Sequence, residues 1–279
     1  MTKRILVIGA TGHQGNAAIE SLQKAGFAVR AFTRDSNSPK AIALKQRGVQ
    51  VAQGDLDNFA SLQQAMEGCY GVFSVIQFLG VGVEKETEQG IRVADAALST
   101  GIRHFIYSSV GGAERNTGVP HFESKWKIEQ HIREIGLAST ILRPTLFMDN
   151  FQATFKFVML SLMRSLLKDR QVQMIAVDDI GKWVALAFLH PDKYMGQSIE
   201  IASDALSYKQ IQAVYRKVTG KSEPSICIPS FVVFALMKDI GLMFKWFRDY
   251  GYQADIAYCR STIEDSITFE QWLLQRVTR

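Results

Sequence analysis

Gly9, Gly12 and Gly15 stand three residues apart near the start of the chain, as G-x-x-G-x-x-G. Ahead of them Arg4-Ile5-Leu6-Val7-Ile8 reads as an apolar strand buried on both faces. Behind them Ala17, Ala18, Ile19 and Leu22 share one face of a helical pattern that Gly26 closes. Glycines in this setting suit an anion-binding turn. The first makes the tight turn, the second lets backbone come up to a diphosphate, and the third lets helix pack on strand. The free N–H groups and partial positive charge of the helix start complete the site. The expected contacts to a dinucleotide diphosphate are Gly9, Thr11, Gly12, His13, Gln14 and Gly15. The spacing is not the G-x-G-x-x-G of many dehydrogenases, and an ordinary tight turn is the alternative reading.

A second position bears on which dinucleotide. Residues 27–33 read as the next strand, which ends in Thr33-Arg34, with Lys40 a few residues on. A ribose 2′-hydroxyl is held by a carboxylate at this point, whereas a 2′-phosphate needs cationic donors. Arg34 can fork onto a phosphate and stack on adenine. Asp35 lies one residue beyond the strand and is expected to point elsewhere. NADP(H) is favoured over NAD(H), with a solvated loop arginine as the alternative.

The elements that must position these groups alternate strand and helix, as in a doubly wound parallel sheet. A short helix over residues 40–47 leads to a strand at 49–53, then to Gly54-Asp55-Leu56-Asp57 and a helix through Met66. Asp55 can accept from the adenine amino group and Leu56 can cover the ring; helix capping by Asp55 or Asp57 is the competing reading. Residues 70–75 form the fourth strand, and Gln77 and Phe78 leave its carboxyl end as candidate cleft wall. A helix over residues 84–100 ends at Gly101, and 104–109 is the fifth strand.

Composition sets bounds. At 279 residues there is material for one large α/β domain, or one domain with a small lobe. Hydrophobic residues at 47% and charged residues at 21% argue against disorder. The net charge of +5 is spread without a Lys/Arg run, which suits a polyanionic cofactor and speaks against direct nucleic-acid binding. Cys69, Cys227 and Cys259 are scattered and odd in number, so a reduced cytoplasmic chain fits better than disulfides, and no metal site is expected. The first strand begins at once, leaving no space for a signal peptide. The longest apolar run, residues 231–237, is too short to cross a bilayer.

The glycine loop, Thr33-Arg34, Gly54-Asp55-Leu56 and Tyr107-Ser108-Ser109 together resemble the NmrA-like family of atypical short-chain dehydrogenases. Further matches are His121-Phe122-Glu123-Ser124-Lys125, residues 143–150 from Arg143-Pro144-Thr145 onward, residues 173–181, and Thr268-Phe269-Glu270-Gln271-Trp272-Leu273, so the resemblance spans essentially the whole chain. It implies a Rossmann domain binding NADP(H) at residues 1–150. Residues 151–279 are then a mixed segment that completes the sheet at about 173–202 and forms a smaller, α-rich carboxyl-terminal lobe. Ser108 joins the cofactor contacts through its motif. The resemblance also puts Pro144, Thr145 and Leu146 beside the nicotinamide, with Phe147, Met148 and Phe151 walling the substrate side; a core stripe is the bland reading of Met148.

Short-chain dehydrogenases reduce a carbonyl with a Tyr-x-x-x-Lys pair and a nearby Ser. Lys125 occupies the Lys position, on a helix expected over about 122–135, and is the expected contact to the nicotinamide ribose. His121 stands where Tyr is expected, and Val110 where extended members carry the Ser. His121 is therefore the candidate proton donor, against loop packing or substrate contact. Residues 140–143 form the sixth strand, stopped by Pro144, and 151–168 an amphipathic helix followed by the short charged loop Lys168-Asp169-Arg170. Residues 173–177 and 199–202 are strands, Asp178 or Asp179 caps a helix through Leu189, Ser207 caps one to Thr219, and Thr268 and Gln271 form a capping box. Residues 231–250, rich in aromatics, are expected as lobe core, with a dimer surface or partner groove as the minority reading.

Two functions follow. One is an NAD(P)H-dependent reductase of a small apolar acceptor, such as a quinone or an enone, in a cleft between the lobes. The other is a non-catalytic NADP(H) redox sensor that regulates transcription or a protein partner.

Overall fold

The computed structural model describes residues 2–277. Its strands are β1 (Arg4–Ile8), β2 (Ala28–Thr33), β3 (Gln50–Gln53), β4 (Gly71–Ser74), β5 (His104–Ser108), β6 (Ser139–Pro144), β7 (Leu146–Phe147), β8 (Val172–Ile175), β9 (Ser198–Ile201) and β10 (Asp204–Leu206). Seven form one sheet in the order β3-β2-β1-β4-β5-β6-β9. β1 pairs in parallel with both β2 and β4, and the parallel ladder continues from β2 to β3 and from β4 through β5 to β6. The chain leaves β1 toward one edge and returns to β4 on its other side, so the crevice between their carboxyl ends is the point where strand order reverses.

The chain divides into two compact, interleaved units. One comprises Met1–Ser109, Glu123–Arg143 and Ile180–Ile199; the other comprises Val110–Phe122, Pro144–Asp179 and Glu200–Arg279. In the first, Ile5, Leu6, Val7 and Ile8 are fully buried, as a central parallel strand requires. Leu6, Ile8, Val72 and Phe105 pack under Leu62, Val93, Ile128 and Ile132 of the helices Phe59–Met66, Val83–Ser99 and Pro120–Glu134. Helices His13–Lys24 and Val177–Leu189 meet at Gly181, where an added Cβ would lie 2.3 Å from the Ala17 carbonyl oxygen. Of the strands expected at 173–202, β9 joins the seven-stranded sheet and β8 joins a second sheet, β10-β8-β7.

The second unit holds that smaller sheet and a core that includes Met148, Phe151, Tyr215, Phe244, Trp246, Phe269 and Trp272. Ser207 closes a full capping box with Gln210 on helix Tyr208–Thr219, and Gly220 ends it in the left-handed conformation. Thr268 and Gln271 exchange bonds as expected, with Thr268 N donating to Gln271 Oε1 at 2.9 Å and Gln271 N to Thr268 Oγ1 at 3.3 Å.

Four expectations are corrected. The single helix at 151–168 is instead a 3₁₀ turn Met148–Phe151, an α-helix Ala153–Leu162 and a π-helical turn Met163–Leu167. Gln152 is extended, and the Phe151 carbonyl is taken by the Tyr215 hydroxyl at 3.2 Å. Further on, the Ser161 and Ser165 hydroxyls donate back to the carbonyls of Phe157 and Ser161, a contact that bends helices. Helix Phe59–Met66 is capped by Asn58, whose side chain accepts from Ser61 N, and not by Asp55 or Asp57. Asp178 and Asp179 both lie inside the first turn of helix Val177–Leu189, past the cap position, and Asp179 Oδ2 accepts from Ile267 N at 2.7 Å. Finally, residues 231–250 split. Phe244, Trp246 and Phe247 are core, whereas Phe231 and Tyr250 are each 73% exposed.

Candidate functional site

Parallel pairing places the segments that follow β1, β4 and β5 side by side at the carboxyl ends of the central strands. After β1 the backbone turns at Gly9 with φ +74°, and Gly12 N bonds back to the Gly9 carbonyl at 3.0 Å. A Cβ at Gly9 would stand 2.6 Å from the Val75 carbonyl oxygen, so the glycine brings this loop against the end of β4. At Gly15 an added Cβ would lie 2.1 Å from the Gly9 oxygen, which no side chain permits. Gly12 is roomier, at 3.3 Å from the same oxygen, and its φ of −87° is ordinary.

Helix His13–Lys24 begins at Gly12 without a side-chain cap, and so its first N–H groups are left for a ligand. An anion is the natural partner, because those donors converge and the helix dipole adds positive charge. Thr11 and Gln14 are half-buried and His13 exposed. Gln14 is held from β5: the Ser108 hydroxyl donates to its Oε1 at 2.7 Å. Ser108 itself is 1% exposed, which makes it a support of the loop and leaves it little surface for a ligand.

At the end of β2, Arg34 is exposed, as is Lys40, and among the described residues neither has a hydrogen-bond or ion-pair partner. Asp35 is exposed, its Oδ1 accepting from Asn37 N at 2.8 Å. Asp55 is exposed with Oδ1 accepting from Asp57 N at 2.9 Å, and Leu56 is half-buried. Gln77 is exposed and Phe78 half-buried at the end of β4.

Lys125 lies in helix Pro120–Glu134 with its side chain 13% exposed. Its ammonium donates to Glu86 Oε1 at 2.9 Å and to the Ile76 carbonyl at 3.1 Å, and sits 5.9 Å from the Tyr107 ring centroid. Glu86 is fully buried, and its other oxygen accepts from the Ser124 hydroxyl. Burial, then the negative charges of Glu86 and Glu129, push the Tyr107 phenol well above its ordinary range, and its hydroxyl has no partner among the described residues. Sequence reading missed Glu86. The available signal was its place on the stripe Glu86, Gln89, Gly90, Val93, Ala97, which repeats at helical spacing.

In the second unit, Thr145 is anchored through its N and Oγ1, both donating to the Ile201 carbonyl at 3.2 Å, and Leu146 pairs with Met174. Pro144 is buried at the end of β6. Of the four side chains expected on the substrate side, Phe78, Phe147, Met148 and Phe151, Met148 is fully buried and Phe151 is 2% exposed, both in the core. Phe147, in β7, and Phe78 are half-buried and keep appreciable surface. Both buried side chains belong to the 3₁₀ turn Met148–Phe151. His121 is 8% exposed, edge-on to the Phe122 ring at 5.0 Å, and Phe122 in turn meets Trp246 at 5.5 Å. No cluster of His, Cys, Asp or Glu among the described residues has the makings of a metal site, and no described helix is long and apolar enough to cross a membrane.

A parallel sheet with reversed order at β1 and β4, and a glycine turn feeding an uncapped helix at that reversal, defines a Rossmann-type α/β protein. The NmrA-like family matches residues 1–274, and the chain belongs to that family. An NmrA-like family domain-containing protein of Dictyostelium discoideum is 31% identical over 297 residues, covering 98% of this chain and 97% of that one. The fold is similar to that of the Citrobacter sp. triphenylmethane reductase complexed with NADP(H), with TM-score 0.82, 19% identity, and 98% and 99% of the two chains covered. It is also similar to an NADPH-dependent quinone oxidoreductase of Escherichia coli complexed with NADPH (TM-score 0.80, 21% identity, 99% and 100% covered). A third neighbour is NmrA, a negative transcriptional regulator (TM-score 0.80, 22% identity, 99% and 95% covered).

Proposed function

We propose that the chain binds NADP(H) and acts as a reductase of a small apolar acceptor, a quinone or an enone. The observation that carries this reading is the loop from Gly9 to Gly15, where a Cβ at either end would collide with backbone and the helix that follows has no side-chain cap. That cradle fits a diphosphate, and the unpartnered Arg34 and Lys40 fit a 2′-phosphate. When bound, the reduced nicotinamide supplies the hydride. The chain's own part is to hold and orient. Lys125 offers its remaining donor to a ribose hydroxyl, Asp55 and Leu56 meet the adenine, and Pro144, Thr145 and Leu146 back the nicotinamide, with Phe147 toward the acceptor.

Acid catalysis by the protein is limited to His121, since Val110 and His121 replace the Ser and Tyr of short-chain carbonyl reductases. Quinones and enones need little such help, because conjugation spreads the negative charge that hydride transfer creates. Two proteins of similar fold, the triphenylmethane reductase and the quinone oxidoreductase, are named for acceptors of this conjugated kind. Three free cysteines suit a reducing compartment such as the cytoplasm.

The test is NADPH oxidation against a panel of quinones and enones, together with a direct NADPH titration. Binding with turnover of at least one acceptor is expected. With a quinone, His121→Phe retains most of the rate and its pH profile overlays wild type. Binding without turnover of any acceptor moves the assignment to a non-catalytic NADP(H) sensor, the role class of the regulator NmrA.

A further inference from the structure

Helices Val83–Ser99 and Pro120–Glu134 pack where Gly90 on the first faces the Ile128 side chain on the second. A Cβ at Gly90 would lie 2.4 Å from Ile128 Cδ1, so no larger residue fits without movement. One turn earlier on each helix stand Glu86 and Ser124, which this approach brings into hydrogen-bonding contact. The carboxylate of Glu86 is fully buried and spends one oxygen on Ser124 and the other on Lys125. Packing does not explain a charge there. Glu86 shares its stripe with Gly90, Val93, Ala94 and Ala97, and an apolar side chain would fill the same space without desolvating an ion.

What the charge does is constrain Lys125. A free lysine ammonium rotates on a flexible stem and has three donors. Here Glu86 takes one at 2.9 Å, and the Ile76 carbonyl just beyond β4 takes a second at 3.1 Å. Two fixed acceptors define the direction of the third N–H. We infer that Glu86 is a positioning residue, which holds the Lys125 ammonium so that its free donor meets the nicotinamide ribose. This inference rests on the reading of the chain as an NADP(H)-binding protein. Glu86 itself touches neither cofactor nor substrate; it acts through Lys125.

Two ligands separate this role from simple support of the fold. NADPH carries the nicotinamide ribose, whereas adenosine 2′,5′-bisphosphate carries only the adenine half. Titrations of the full chain with both are expected to show NADPH affinity falling about tenfold in Glu86→Ala, the size of one charge-assisted hydrogen bond. Glu86→Asp, which keeps the charge but withdraws it by a methylene, shows a similar loss. Glu86→Gln keeps an acceptor of the same reach and stays within about threefold of wild type. Adenosine 2′,5′-bisphosphate binds all three variants as it binds wild type. In a Lys125→Met background, Glu86→Ala lowers NADPH affinity no further, as expected for residues acting as one unit.

The inference is overturned if Glu86→Ala and Glu86→Asp bind NADPH like wild type, or if both ligands weaken in parallel. It is equally overturned if the two substitutions multiply in the double variant. A Glu86→Asp chain that fails to fold assigns the carboxylate to core stability and also overturns it. A wild-type chain that binds neither ligand sinks the cofactor reading itself, an outcome distinct from all of these.

Discussion

At the scale of single residues, Lys125 and Arg34 of the candidate site stand in opposite circumstances. Lys125 is tied to a buried carboxylate, while Arg34 is exposed and without a partner among the described residues. An arginine in that state loses nothing internal when it moves onto a phosphate, so its whole contribution is available to a ligand. Arg34→Ala is therefore expected to weaken NADP(H) by about 1.5–3 kcal/mol, roughly 10- to 150-fold, while leaving NAD(H) nearly unchanged. Parallel titrations of the two dinucleotides measure this. Equal losses for both, or none, would remove Arg34 from the 2′-phosphate site. Its neighbour Asp35 spends Oδ1 on Asn37 N.

At the scale of elements, the turn from β1 into helix His13–Lys24 does two separable jobs with different glycines. Gly15 is structural: an added Cβ would lie 2.1 Å from the Gly9 oxygen, so helix and strand would have to part. Gly12 leaves 3.3 Å to the same oxygen and keeps an ordinary φ. Gly15→Ala is expected to cost about 1–3 kcal/mol of stability, the range for overpacking a tight contact. Gly12→Val is expected to abolish dinucleotide binding, since a branched side chain would stand where backbone meets diphosphate, with most of the stability kept. Thermal melts and cofactor titrations on both variants make the comparison. A Gly12→Val chain that binds NADP normally at unchanged stability would show that the loop does not hold the diphosphate.

At the scale of the whole molecule, stability carries a pH dependence that can be traced to β5. His104 is fully buried, with Nε2 at 2.8 Å from Thr140 Oγ1 and its ring edge-on to Phe188 at 5.1 Å. Burial, and then the positive charge of Lys3, lower its pKa to about 4. The unfolded chain holds this group near its ordinary value of about 6.5. Between those values the unfolded state takes up a proton that the folded state refuses, so folding stability drops as pH falls from about 6.5 toward 4 and the contribution levels off below. The slope is at most about 1.4 kcal/mol per pH unit across that window. His104→Gln, which can keep a bond to Thr140 but cannot titrate, should lose this part of the slope. Denaturant midpoints across the window test it, and parallel slopes for variant and wild type would exclude His104 as the origin.

What the sequence determined by itself is what neighbours within a turn or two decide. The glycine spacing, the strand before it and the helix after it are local, and so are the Ser207 and Thr268 caps and the cation at the end of β2. The alternation of strand and helix, and with it the parallel sheet, follows from periodicity that any window of the chain displays. Tertiary structure alone decided which residues are covered. Met148 and Phe151 lie in the core of the second unit, where Phe269, from far along the chain, packs edge-on to Phe151, while the equally apolar Phe155 and Phe231 stayed exposed. β8 and β9 look alike as sequences, yet they belong to different sheets, because strand pairing depends on partners and not on the strand. Glu86 is the clearest case. In the sequence it is one acid among several in a charged helix start, and only the close approach of a second helix at Gly90 and Ile128 buries it beside Lys125. The helical stripe through Glu86 marks a face to be covered, but which side chain covers it depends on where distant segments arrive, and no local spacing encodes that.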